Sequence, residues 1–251
     1  MNRLQKTLLI SLVSVSAVTW FVSKDQPDMM TAMMTYNPKL VSLFILSWTA
    51  GMAAMMFPAI SPMVLLYNKL IKTNDGETVG VTSYSFRMTL FVGCYLGVWA
   101  LTGLALLLMW SVPMNAFLME IGRNQLFMVY GIILIIAGAY QFSPLKTKCL
   151  GYCESPMSFF MRRWRSGTIG AVKMGTYHGM YCLGCCWPYF LLMVALGWMN
   201  LLWMGLFAGI IFGEKVWSRG ILVARAAGIG FMILGLMALL APDLDILRKI
   251  F

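Results

Sequence analysis

The sequence predicts an all-α fold, a polytopic transmembrane helix bundle of about seven spans, and three observations carry that prediction. First, 60% of the residues are hydrophobic and only 11% are charged, whereas a soluble domain runs near about half apolar and about a quarter charged. Second, apolar runs of roughly 17–25 residues recur, each long enough to cross a bilayer core. A chain in lipid has no water for its backbone, so such runs must close their hydrogen bonds within themselves as helices. Third, the cations sit between these runs. A net charge of +10 would suggest nucleic acid for a soluble protein, but this placement fits anchors at a membrane surface. The lipid bilayer is the expected partner and nucleic acid is not.

The spans fall at about 7–23, 41–66, 88–110, 126–142, 174–196, 200–213 and 221–241,. They form a single integral membrane domain over 1–251. Within it, 1–39 is an N-terminal anchor and outer Met-rich segment, 40–220 a Met/Cys/His core, and 221–251 the last span and tail. The first span is preceded by Arg3 and Lys6, as a signal peptide would be. Ser16 and Ala17 make a poor cleavage site, so a retained anchor is favoured; cleavage would leave six spans,. The sixth span is short, and is either tilted, partly re-entrant or extended past Glu214. With the N-terminus in the cytoplasm, thirteen of the Lys and Arg face inward, five face outward, and Arg225 lies just within the last span. That bias satisfies the positive-inside rule and suits a prokaryotic cytoplasmic membrane.

Two connections are long. Residues 67–87 read as a plain polar loop. Residues 143–173 read as an inner loop carrying Cys149, Cys153 and the run "FFMRRWRSG". That run suits either ordinary loop anchoring, the simpler reading, or a helix lying on the membrane surface. Gly175 and Gly179, Gly93 and Gly97, and Gly205, Gly209 and Gly213 are spaced by four, which lets membrane helices approach closely.

The stretch "HGMYCLGCCWP" (178–188) holds the one histidine of the chain and three of its six cysteines. On a helix, His178, Cys182, Cys185 and Cys186 fall within one arc of roughly 100°. Polar groups in a bilayer face the protein interior, because lipid cannot satisfy them. His178 and Cys185 are about 10 Å apart along the axis at 1.5 Å per residue, so one ion cannot take all four. It takes a neighbouring pair, and other helices supply the rest. Pro188 removes the donor to the Gly184 carbonyl, so a kink is expected beside Cys185 and Cys186.

The second span reads "WTAGMAAMMFPAISPM" (48–63), with Met52 and Met56 on one face and Met55 at its edge. Pro58 and Pro62 are expected to distort its cytoplasmic end. Methionine is ordinary filler in membrane helices. Opposite a Cys/His stripe at similar depth it gains meaning, because thioether, thiolate and imidazole together suit copper(I), while zinc favours Cys and His alone. Met29, Met30, Met33 and Met34 suit either a weak outer copper(I) contact or an amphipathic approach to the span. Cys149 and Cys153 read as a metal pair in a reducing compartment, and Cys94 as packing.

These stretches carry a resemblance. "WTAGMAAMMFPAISP" (48–62), "YQFSPLKTKCLGYCESP" (140–156), "HGMYCLGCCWPYFLLMVALGWMN" (178–200) and "GEK" (213–215) resemble a bacterial and archaeal family of integral membrane proteins predicted to bind metal. The resemblance implies metal binding through Cys149, Cys153, His178, Cys182, Cys185 and Cys186, with Met52, Met55 and Met56. Pro188 departs from the expected pattern, where an ordinary helix former would follow the Trp.

The leading functional expectation is a membrane protein binding a soft transition metal, copper(I) before zinc, in handling, delivery or transport of the ion. A metallochaperone or a metal-requiring membrane protein is the expected partner, and oligomerisation is left open. The alternative is a membrane thiol–disulfide oxidoreductase using Cys182 and Cys185. A metal-cofactor membrane enzyme ranks third, since no carboxylate lies within a span and Glu214 and Lys215 are able to pair with each other. Proton-driven transport fits poorly, because His178 is the one titratable relay candidate at depth.

Overall fold

The computed structural model describes residues 37–74, 81–113, 123–195, 201–217 and 219–240, together with positions 6, 10, 13–18 and 20. The described residues are helical throughout apart from short turns. We label the helices α1 (Pro38–Asn74), α2 (Val81–Pro113), α3 (Arg123–Tyr140), α4 (Pro144–Glu154), α5 (Pro156–Arg163), α6 (Gly167–Ala195), α7 (Leu201–Val216) and α8 (Gly220–Leu240).

The span count differs from expectation. Among the described residues three helical segments are long and apolar enough to cross a membrane: Pro38–Lys72, Ser83–Met109 and Gly220–Leu240. A fourth is reached by joining Phe127–Tyr140 to Pro144–Cys153, a pair bent by 65°. Seven spans are not reproduced, and each shortfall has a reason. The first span falls largely outside the described residues. The expected 126–142 span breaks at Tyr140, where Ser143 accepts from the Lys146 backbone N–H at 3.1 Å, caps α4 and redirects the chain,. In α6, glycines, tyrosines and His178 dilute the apolar character. Helix α7 has 16 residues, too few at 1.5 Å per residue for a hydrocarbon core of about 30 Å.

Neither long connection is a plain loop. Helix α1 runs on to Asn74 and α2 begins at Val81, and the expected Met29–Met34 copper contact lies outside the described residues. Residues 143–173 are mostly helical. Their cysteines sit on α4, and α5 buries Phe159 and Phe160 while Arg162 and Arg163 stay exposed. The basic–aromatic run therefore inserts its aromatic half into the bundle.

Helix α6 is the centre of the molecule, touching α2, α3, α4 and α7. Its contact with α2 is close because Gly175 lies against the Phe91 backbone and Gly179 against Val98, as their spacing predicts,. Gly93 and Gly97 meet nothing. The most extensive pairing joins α3 to α8 through glycines the spacing argument passed over. A methyl on Gly138 would stand 2.7 Å from the Gly228 carbonyl oxygen, and one on Gly228 would stand 2.9 Å from the Gly138 oxygen. Helix α8 buries Ala224, Gly228, Gly235 and Ala238 together with Phe231, and turns Leu222, Ile229, Ile233, Leu236 and Leu240 outward. Small residues inside with large aliphatics outside is the pattern of helices packed in lipid.

The prolines do not break their helices, because hydroxyl groups take the carbonyls they orphan. Pro58 frees the Ala54 carbonyl, which accepts from Ser16 Oγ. Pro62 frees the Pro58 carbonyl, which accepts from Ser61 Oγ at 2.9 Å. Pro188 frees the Gly184 carbonyl, which accepts from Tyr140 Oη at 2.5 Å. Each substitutes a side-chain donor for the missing N–H, as buried backbone in an apolar bundle requires. Tyr140→Phe is expected to lower stability by about 1–3 kcal/mol, the cost of an unsatisfied buried carbonyl. Thermal unfolding of the purified protein in detergent measures it.

A buried thiol cluster

The site is assembled from four helices. Ser143 caps α4 and Pro144 opens it, which sets Lys146, Cys149 and Cys153 at spacings of three and four along one face. That face lies on α6, where a Cβ at position 184 would meet Cys149 Sγ at 2.9 Å. Glycine at 184 therefore lets α4 approach.

Helix α6 presents Cys182, Cys185 and Cys186 to the same interior, all fully buried. Cys185 Sγ lies 3.2 Å from Cys186 Sγ and 3.9 Å from Cys153 Sγ. It also points at the Cys182 carbonyl at 3.2 Å. Cys182 itself meets Tyr95 Oη at 3.1 Å and Lys215 Nζ at 2.8 Å. Lys215 Nζ in turn lies 3.9 Å from Met56 Sδ. So α1, α4, α6 and α7 each bring a soft or charged group to one place. All six cysteines are free thiols. Among the described residues, no three His, Cys, Asp or Glu side chains form a ready-made metal shell. The thiols touch their neighbours rather than surround a common point.

The sequence-derived candidates separate accordingly. Cys153, Cys182, Cys185 and Cys186 come together, and Met56 joins them through Lys215. Met52 and Met55 are buried on the same helix, with Met56 the one in contact with Lys215. Cys149 is buried on α4 against Gly184, and Cys94 is half-buried elsewhere on α2. His178 is buried one turn before Cys182. Its ring stacks on Tyr95 at 5.3 Å and on Phe91 at 6.2 Å, with Phe159 edge-on at 5.7 Å. Neither ring nitrogen has a hydrogen-bond partner among the described residues.

Glu214 and Lys215, although able to pair with each other, take separate partners. Lys146 Nζ forms a fully buried ion pair with Glu214 Oε2 at 2.7 Å and also donates to the Cys185 carbonyl at 2.7 Å. Tyr189 donates to the other Glu214 oxygen. Adjacent residues on a helix point about 100° apart, so Glu214 turns towards α4 while Lys215 turns towards Cys182. Lys146, Lys215, Tyr95, Tyr140 and Tyr189 were not among the sequence candidates. The positive-inside count takes both lysines as inner-surface anchors, whereas both are buried. Their signal was present, since both lie inside the stretches that resemble the metal-binding family.

A family model described as copper chaperone (PpoB2) matches residues 45–238, which contain the Cys and His candidates, Met52, Met55, Met56 and the Lys146–Glu214 pair. No curated protein and no solved structure matches the chain significantly.

Breaking the ion pair from one side strands a buried charge. Lys146→Met is expected to destabilise the protein by about 3–5 kcal/mol. Lys146→Met combined with Glu214→Gln should recover much of that loss, because neither charge is then left alone. Melting temperatures of the single and double variants in one detergent give the comparison.

Proposed function

The chain belongs to the copper-chaperone family, and from that premise we propose that it is an integral membrane protein that holds copper(I) as cargo and delivers it to a metal-requiring membrane partner. The observation that supports this most is the convergence of cysteine sulfurs from α4 and α6 in a buried interior beside the Met56 thioether. Thiolate and thioether ligands select copper(I) among the common ions.

The spacing suits a low-coordinate ion. Metal–thiolate bonds of roughly 2.3 Å allow two sulfurs on one ion to stand up to about 4.6 Å apart. Cys185 has sulfur neighbours at 3.2 and 3.9 Å, so small side-chain rotations open a two- or three-sulfur site. Zinc favours Cys and His without thioether, so with the Met56 thioether close by zinc ranks second. The candidates from which such a site draws its few ligands are Cys149, Cys153, His178, Cys182, Cys185 and Cys186, with Met52, Met55 and Met56 on the facing helix. A metallochaperone on the donor side completes the exchange.

Membrane insertion rests on α1, α2 and α8, on the bent α3–α4 pair, and on the outward Leu and Ile of α8. The positive-inside distribution supports a cytoplasmic N-terminus in a prokaryotic cytoplasmic membrane. The thiol–disulfide alternative on Cys182 and Cys185 loses ground to the family match.

Metal analysis by mass spectrometry tests the reading on protein purified anaerobically in detergent. Wild type is expected to hold stoichiometric copper after reconstitution with copper(I). Cys182→Ser/Cys185→Ser/Cys186→Ser should lose most of it, and Met52→Leu/Met56→Leu should weaken affinity by about tenfold or more. Failure of the wild type to retain copper(I) against a competing chelator sinks the proposal.

A further inference from the structure

His178, one turn from Cys182, is a buried group that the thiol cluster leaves unexplained. It is 1% exposed, and both ring nitrogens lack a hydrogen-bond partner among the described residues. Aromatic faces surround it: Phe91, Tyr95 and Phe159 are all within 6.2 Å, centroid to centroid. Such rings pack against imidazole but give its nitrogens no in-plane partner. A buried polar group without a partner costs free energy, and native proteins rarely keep one without a use.

The use is indicated by the next turn of the helix. Cys182 lies four residues on, about 6 Å along the axis at 1.5 Å per residue, on the same face. Two side chains at this spacing hold one metal ion, as the paired histidines of H-E-x-x-H helices do. The thiol is already oriented by Tyr95 Oη and Lys215 Nζ, and the Tyr95 ring also stacks on His178. Imidazole and thiolate both accept copper(I).

We propose that His178 and Cys182 form a second, two-coordinate copper(I) station one helical turn from the Cys153/Cys185/Cys186 sulfurs, with mixed nitrogen and sulfur ligation. The inference rests on the copper-handling reading above and divides its ligands into two neighbouring stations along α6. Cys182 stands between them, so the ion passes from one to the other by exchanging a single ligand at a time.

The test is copper K-edge X-ray absorption on protein loaded anaerobically with copper(I), alongside metal content. Cys153→Ser/Cys185→Ser/Cys186→Ser is expected to keep roughly half of the wild-type copper, with one nitrogen and one sulfur neighbour. Adding His178→Leu should remove that remainder. In an otherwise unchanged chain, His178→Leu should lower capacity by a similar fraction and abolish nitrogen scattering, which keeps the test valid if the triple variant fails to fold. Retained copper with sulfur neighbours alone, or no change on His178→Leu, overturns the second station and leaves the thiol site standing. Absence of copper(I) from wild type overturns the underlying reading as well.

Discussion

The Lys146–Glu214 ion pair is the contact on which the interior depends. Both side chains are fully buried, and taking two charges from water is costly unless every remaining hydrogen-bonding site finds a partner. Here the partners are present. Lys146 holds Glu214 and the Cys185 carbonyl, Tyr189 holds the second carboxylate oxygen, and the Lys146 ammonium lies 5.1 Å from the centre of the Tyr189 ring. Those bonds tie α4 to α6 and α7, and α4 and α6 are the two helices that carry the clustered cysteines. The pair therefore fixes the sulfur geometry as well as the helix packing. An apolar replacement of similar volume could serve stability equally well, but it would leave the Cys185 backbone without its lysine.

The same demand for internal satisfaction explains the prolines. An apolar surround offers no water to a carbonyl freed by Pro58, Pro62 or Pro188, so Ser16, Ser61 and Tyr140 supply the donors,. Pro188 lies inside α6, which stays helical from Gly167 to Ala195. The freed Gly184 carbonyl recruits Tyr140 from α3, and Lys146 reaches the next carbonyl along from α4. The departure at Pro188 thus lies where two neighbouring helices are hydrogen-bonded to the cysteine helix.

Much of the fold and site was legible in the sequence, and what was missed has a common cause. The helical class, the one-face placement of Cys182, Cys185 and Cys186, and the Gly175/Gly179 contact all follow from period and spacing, which are local properties. Spacing pairs Cys149 with Cys153 but puts them in a loop, because α4 is too short and too polar to register as a span. The span count failed for the same reason, since bent pairs and short helices carry weak hydropathy signals. A charge count reads Lys146 and Lys215 as orientation anchors because it cannot see burial. Only tertiary contact shows that neighbouring Glu214 and Lys215 face different partners.

Charge balance links these lysines to the cargo. Lys146 and Glu214 cancel, which leaves Lys215, among the described residues, as a buried cation whose acceptor is Cys182 Sγ at 2.8 Å. A copper(I) ion held by two thiolates is a complex of net charge −1. Buried in a medium of low dielectric, such a complex needs a counter-ion in contact. On the copper-handling reading Lys215 is that counter-ion, already in place between Met56 and Cys182. Copper(I) held by imidazole and one thiolate is neutral and has no such need. The thiol cluster and the His178–Cys182 turn thus differ in charge as well as in ligands. Movement of the ion between them changes the demand on Lys215, whose position at Cys182 bridges the two.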